Sequence, residues 1–151
     1  MKFIPFLLIT VTLLAVSCSK DKFTTVPQFT IESISPGTVF NGNIVSLQGK
    51  FTDQEGDVDS ALVVYKWYNA AAVVRKDTFR YSITDFNLPA KTRKAEMTID
   101  FQYNTSNPNG YVTLPGASIR DTTATLGIVL IDKAANRSVY TESAQIRLKK
   151  P

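Results

Sequence analysis

Histidine is absent from the 151 residues, and cysteine occurs once, at position 18. Without imidazole the chain has no side chain that titrates near neutrality in its unperturbed state, so the commonest general base is excluded. Zinc sites built from cysteine and histidine are excluded with it. One cysteine permits no intrachain disulfide, so an oxidising compartment adds nothing to stability and the apolar core must hold the fold alone. Charge is not concentrated either: 17 Lys and Arg face 13 Asp and Glu, for a net charge of +4 with no long basic run. The aromatic residues sit at strand spacing rather than among the basic ones, which excludes nucleic acid as a partner. Also missing, beyond the first residues, is any long segment with apolar positions at helical spacing.

What the sequence does have begins at its N-terminus. Met1 and Lys2 precede an apolar run from Phe3 to Val16, then Ser17 and Cys18. The order of charge, short apolar stretch and small residues is that of a secretory signal, and the run is too short to span a bilayer. Ala15-Val16-Ser17-Cys18 resembles the lipobox of bacterial lipoproteins, with Ala15 where leucine is usual. The resemblance implies cleavage before Cys18 and fatty acylation of that residue, palmitate included, with several chains to hold the protein on a membrane. An ordinary secretory signal followed by an unmodified cysteine is the alternative. The expected division is a signal peptide over 1–17, a lipidated Cys18 and tether over 18–27, and a folded domain over 28–151.

In that domain the pattern has a period of two. Residues 94–103 alternate strictly, with Ala95, Met97, Ile99, Phe101 and Tyr103 on one face and Lys94, Glu96, Thr98, Asp100 and Gln102 on the other. Such alternation marks a strand with one buried and one wet face. Similar stretches cover Phe29–Ile34, Ile44–Phe51, Leu62–Tyr68, Val73–Tyr81, Thr123–Asp132 and Val139–Leu148, separated by Gly, Pro, Asn and Asp punctuation. Seven strands without a helix predict an all-β, seven-stranded antiparallel sandwich of the immunoglobulin-like type, with Trp67 as a core residue of its third strand.

The runs ISPGTVFNGNIVSLQGKFTDQEGDVD (34–59) and RDTTATLGIVLIDKAANRSVYTESAQIRL (120–148) resemble a group of uncharacterised bacterial envelope lipoproteins with an Ig-like domain. The matching positions are Phe51, Asp53, Glu55, Gly56 and Asp57 after the second strand, then Asp132, Ala134, Asn136 and Ser138 before the last. Where the group usually carries glycine in that final turn, this chain has Ala135. The resemblance implies an Ig-like fold and an envelope location, and no activity.

In a seven-stranded sandwich the two acidic loops meet at one end. Asp53, Glu55, Asp57 and Asp59 would then face Asp132 and Asn136, an oxygen-rich set of the kind calcium takes. The spacing is not that of an EF-hand loop, since Val64 stands where a closing glutamate is needed. The competing reading makes the acids turn caps and ion-pair partners of Lys91, Arg93 and Lys133. The long 104–121 connection offers Tyr111 as a recognition residue; alternatively Tyr111, Val112 and Leu114 cover the open bottom of the sandwich. Asp59-Ser60-Ala61 and Asp121-Thr122-Thr123 have the form of O-glycosylation acceptors.

Together these features lead us to expect a lipoprotein anchored in the outer membrane of a cell envelope, serving as a non-catalytic binding or structural module. Its partners would be the membrane, through the N-terminal lipid, and an envelope protein or glycan. One alternative is a glycan-binding or docking subunit of an outer-membrane uptake complex. Another is a small hydrolase using Asp53 and Asp57, which would need two carboxyls opposed across a deep cleft.

Overall fold

A computed structural model describes residues 24–105, 110–116 and 119–150. Cys18, the signal segment and most of the tether lie outside the described residues. The domain is an all-β sandwich of two mixed sheets. The strands are β1 (Gln28–Ser35), β2 (Thr38–Val39), β3 (Ile44–Thr52), β4 (Val58–Asn69), β5 (Ala72–Ser82), β6 (Lys94–Tyr103), β7 (Val112–Leu114), β8 (Thr122–Asp132), β9 (Thr141–Glu142) and β10 (Ile146–Leu148). One sheet has the order β1-β3-β6-β7; the other runs β2-β10-β8-β4-β5, with β9 also paired to β8.

Among the described residues ten strands replace the expected seven, and the pairing is not purely antiparallel. β2 runs parallel to β10 and β7 parallel to β6. Both additions are only two or three residues long, too short for alternation to register, and their pairing is imposed by the strands beside them. The expected last strand, Val139–Leu148, is broken into β9 and β10. Where it leaves the ladder, side chains take over: Leu130 N–H donates to Ser138 Oγ at 2.9 Å and Leu126 N–H to Ser143 Oγ at 3.0 Å. These serines keep the buried amides of β8 paired, as a low-dielectric interior requires.

The core lies between the sheets and draws on the inward residues of every long strand. Leu47 and Phe51 from β3, Val63 and Tyr65 from β4, Ile99 and Phe101 from β6, and Leu126, Ile128 and Leu130 from β8 are almost wholly buried. Each such side chain contributes about 1.5–3 kcal/mol by leaving water. Tyr65 and Tyr103 can be buried because their hydroxyls donate to the carbonyls of Pro115 and Lys149. Trp67 is only partly buried, edge-on to Tyr65 with Arg75 over its ring, so Tyr65 holds the central position expected of Trp67. The outer face of the first sheet is polar; Lys50 there bridges Glu32 and Glu96 at 2.6 and 3.3 Å.

Strand direction fixes what shares an end. Thr52, Val58, Ser82, Lys94 and Asp132 all lie at one end, so the β3–β4, β5–β6 and β8–β9 connections meet there. The chain enters at the same end: Gln54 N–H donates to Thr24 O at 3.2 Å.

Candidate functional site at the acidic end

The β3–β4 loop is closed by its own aspartate. Asp53 is fully buried, its N–H donates to Arg93 O at 2.8 Å, and its Oδ2 accepts the N–H of Asp57 at 2.8 Å. Between them Gly56 has φ +67°, and a Cβ there would lie 2.5 Å from the backbone oxygen of Lys91, so only glycine fits both the turn and the contact. The β8–β9 turn is built alike. Asp132, 3% exposed, accepts Asn136 N–H at 2.7 Å through Oδ1 and Asn136 Nδ2 at 2.8 Å through Oδ2. Lys133 N–H donates to Asp57 O at 3.1 Å, which ties the two acidic loops together.

Four of the six candidate ligands are therefore brought to one place: Asp53, Asp57, Asp132 and Asn136. Two are not. Glu55 points to solvent, and Asp59, already within β4, lies on the outer face, where it pairs with Arg80 at 3.3 Å. Among the described residues no lysine or arginine pairs with Asp53, Asp57 or Asp132; Arg93 and Lys133 meet the loops through their backbones. Turn capping is thus present and the expected ion pairs are not.

The consequence is electrostatic. Asp53 Oδ1 and Asp57 Oδ1 are buried without a hydrogen-bond partner. Burial, followed by the charges of Asp53 and Asp132, raises the Asp57 carboxyl above the ordinary aspartate range. Among the described residues no three His, Cys, Asp or Glu side chains are placed so that they could hold a metal ion. Beside the loops lies a cavity of about 590 Å³ whose wall includes Glu55, Asp57, Asp59, Lys91 and Lys133, so Glu55 and Asp59 share its wall with Asp57 while standing apart from Asp53 and Asp132. Asp53 is not part of that wall, so Asp53 and Asp57 are not opposed across it.

The described part of the 104–121 connection divides between covering the core and exposing a side chain. Val112 packs on the core and Leu114 is fully buried, whereas Tyr111, 39% exposed, sits on the flank of the sandwich at the rim of a smaller cavity. Of the glycosylation motifs, Ser60 is buried and bonded by Arg80, and Thr122 Oγ1 donates to Tyr68 O, so neither hydroxyl stands out from the fold.

No protein-family model matches the chain, and no curated protein matches it. Solved structures overlap it distantly. A Niemann-Pick type C2 protein from the Japanese carpenter ant has a TM-score of 0.43 at 12% identity, over 87% of this chain and 96% of that one. The sporulation control protein Spo0M of Bacillus subtilis has a TM-score of 0.42 at 10% identity, over 80% of this chain and 48% of its own length. The CARDB domain of PF1109 from Pyrococcus furiosus, solved with di-metal ions, has a TM-score of 0.30 at 12% identity, over 87% and 95%. The chain spans about half the length of Spo0M. Overlaps this loose carry no inference about family or activity.

Proposed function

We propose that this chain is a lipoprotein of the cell envelope, held in the outer membrane through Cys18, whose Ig-like sandwich is a non-catalytic binding module with a calcium-responsive acidic end. One observation carries the reading: buried Asp53 and partly buried Asp57 share a loop, each with one enclosed oxygen that lacks a hydrogen-bond partner, and among the described residues no lysine or arginine forms an ion pair with either. Two carboxylates set this close repel one another, and a cation between them relieves the repulsion. Calcium accepts carbonyl and water oxygens alongside carboxylates, so Asp53 and Asp57 suffice to nominate it, with Asp132 contributing charge.

The tether supports a membrane-proximal role for this end. Thr24 is bonded to Gln54 beside the acidic loop, and five residues lie between it and Cys18, a span of at most about 20 Å. The opposite end, with the Phe40–Asn43 turn and the start of β8, faces away from the anchor.

Thermal unfolding of the chain from Lys20, in EDTA and then in millimolar calcium, tests the site. Calcium that binds only the folded state raises Tm by mass action, and Asp57→Asn abolishes the rise. An unchanged Tm removes calcium and leaves the acids as turn chemistry. Labelling of the full chain with a palmitate analogue, lost in Cys18→Ser, tests the anchor separately.

A further inference from the structure

The end of the sandwich opposite the acidic loops carries charge of the other sign. Register sets a row there: Thr123 of β8 is paired with Tyr68 of β4 on one side and with Arg147 of β10 on the other, so the three side chains share the outer face of that sheet. Arg120, just before β8, and Asn69, at the end of β4, stand at the edge of the row, where an Arg120 N–H donates to Asn69 Oδ1. These five residues wall one cavity of about 550 Å³. Asp121 is the carboxylate of that wall, and it is fully engaged. Its Oδ2 accepts from Arg147 at 3.1 Å and from Lys149 Nζ, and its Oδ1 accepts Lys150 N–H at 3.2 Å. Lys149, followed by the Lys150 amide, holds its carboxyl down at about 2. Arg120 has no carboxylate partner among the described residues, and each guanidinium has one N–H committed and the rest of its fork free. Asn69 Nδ2 and the Thr123 hydroxyl are likewise open donors among the described residues. Every one of these side chains reaches solvent; that of Arg147 is 60% exposed.

We propose that this cavity binds a phosphate monoester, its terminal oxygens held between the Arg120 and Arg147 guanidiniums and by the Thr123 hydroxyl and Asn69 amide. The wall presents donors and positive charge, and its one carboxylate is already spent. A cation is therefore repelled by both guanidiniums and finds no free partner. A neutral sugar can bond to the donors but leaves the charge of Arg120 uncompensated, so it gains little over the water it displaces. A carboxylate brings two oxygens, enough for a single guanidinium fork. The donors here come from β4, β8, β10 and the segment before β8, an arrangement that suits the three terminal oxygens of a phosphate ester approached from several sides. The volume lies within the roughly 300–1,000 Å³ of small-molecule sites and leaves room for the group that bears the phosphate. A phosphorylated sugar and a glycerophosphate headgroup share this chemistry.

This inference rests on the binding-module reading but on neither calcium nor the anchor. The ¹⁵N-labelled chain from Lys20, which retains both sheets and the whole core, is titrated in calcium-free buffer with glucose 1-phosphate, glycerol 3-phosphate, inorganic phosphate, glucuronate and methyl glucoside, each to about 20 mM. The expected result is amide shifts confined to Asn69, Arg120, Thr123, Arg147 and their neighbours with at least one ester, weakening as salt rises. The ester that binds more tightly tells a sugar source from a headgroup. Arg120→Gln, at an exposed position, should weaken binding about tenfold or more, and Arg120→Lys, which restores the charge without the fork, should recover only part of it. Silence with both esters overturns the proposal and leaves the calcium response of the opposite end, measured separately, untouched. Glucuronate or methyl glucoside binding as tightly as the esters also overturns it, as does inorganic phosphate binding where neither ester does, or ester shifts that survive Arg120→Gln undiminished.

Discussion

Asp53 Oδ2 accepts the backbone N–H of Asp57 at 2.8 Å, so the contact that closes the β3–β4 loop also sets two carboxyl groups side by side. The loop gains a satisfied turn and acquires an electrostatic conflict. Desolvation raises the Asp57 carboxyl, and the neighbouring charges of Asp53 and Asp132 raise it further, which makes this end of the sandwich sensitive to protons and cations.

The sign of the proton dependence follows from Asp57, whose carboxyl is raised by burial and by the charges of Asp53 and Asp132. The folded state holds this proton at pH values where the unfolded chain has lost it. Its contribution to stability is therefore full below about 3.8 and is lost as pH rises through the folded-state value. In EDTA, lowering the pH from 7 toward the carboxylate range should raise Tm. Asp57→Asn should raise Tm at pH 7 and flatten that dependence. Opposing groups act lower: Asp121, bonded by Lys149, the Lys150 amide and Arg147, is held down at about 2, so its stabilisation is present above 3.8 and fades only as pH falls toward 2. A Tm that falls steadily from pH 7 to 5 in EDTA would contradict this account of Asp57.

Ala135 has φ +67°, in the left-handed region that costs a residue with a Cβ, and its N–H closes the turn onto Asp132 O at 3.0 Å. The turn thus keeps a geometry suited to glycine although the residue is alanine. Ala135→Gly should stabilise the protein by about 0.5–1 kcal/mol, the relief of strain exceeding the added freedom of the unfolded chain. Urea unfolding would show it as a higher midpoint at an unchanged slope, whereas Gly56→Ala, blocked by the Lys91 backbone, should lower the midpoint.

The sequence made the longest strands legible and the short ones invisible. β6 was readable to the residue because Lys94–Tyr103 alternates without a break. β7 was not, because Val112–Leu114 becomes a strand only through its parallel pairing with β6. At the acidic end, loop topology gathered Asp53, Asp57, Asp132 and Asn136 correctly. It failed for Asp59 because β4 begins at Val58, four residues before the expected Leu62, and takes Asp59 into the strand, where it pairs with Arg80. The shared wall of Arg120 and Arg147 had no sequence signal, since it depends on the register of β10 against β8.

Tyr140 lies over Gly127, where a Cβ would come within 2.1 Å of its hydroxyl oxygen, and its ring also receives Lys66 Nζ at 4.7 Å from the centroid. Gly127 thus makes room on the outer face of β8 for the segment that precedes β9. Gly127→Ala should displace the ring and cost about 1–3 kcal/mol. In Tyr140→Ala the same glycine change should cost much less, because the clash has gone. A double-mutant cycle measures this coupling, and additive effects would show that the ring does not depend on the glycine.

Ser138 offers the most local test of how the broken last strand is tolerated. Its N–H donates to Leu130 O at 2.9 Å and its Oγ accepts Leu130 N–H at 2.9 Å, so one residue supplies both halves of a ladder rung while the chain is already departing. Ser138→Ala keeps the backbone half and strands a buried amide, a loss of about 1–3 kcal/mol. Ser138→Thr, which retains the acceptor, should recover most of it. Hydrogen exchange at the Leu130 amide separates this from a general loosening: protection should fall there by far more than at Ile128, two residues along the same strand. Equal loss at both amides would mean that the serine supports the β8 edge as a whole rather than one exposed rung.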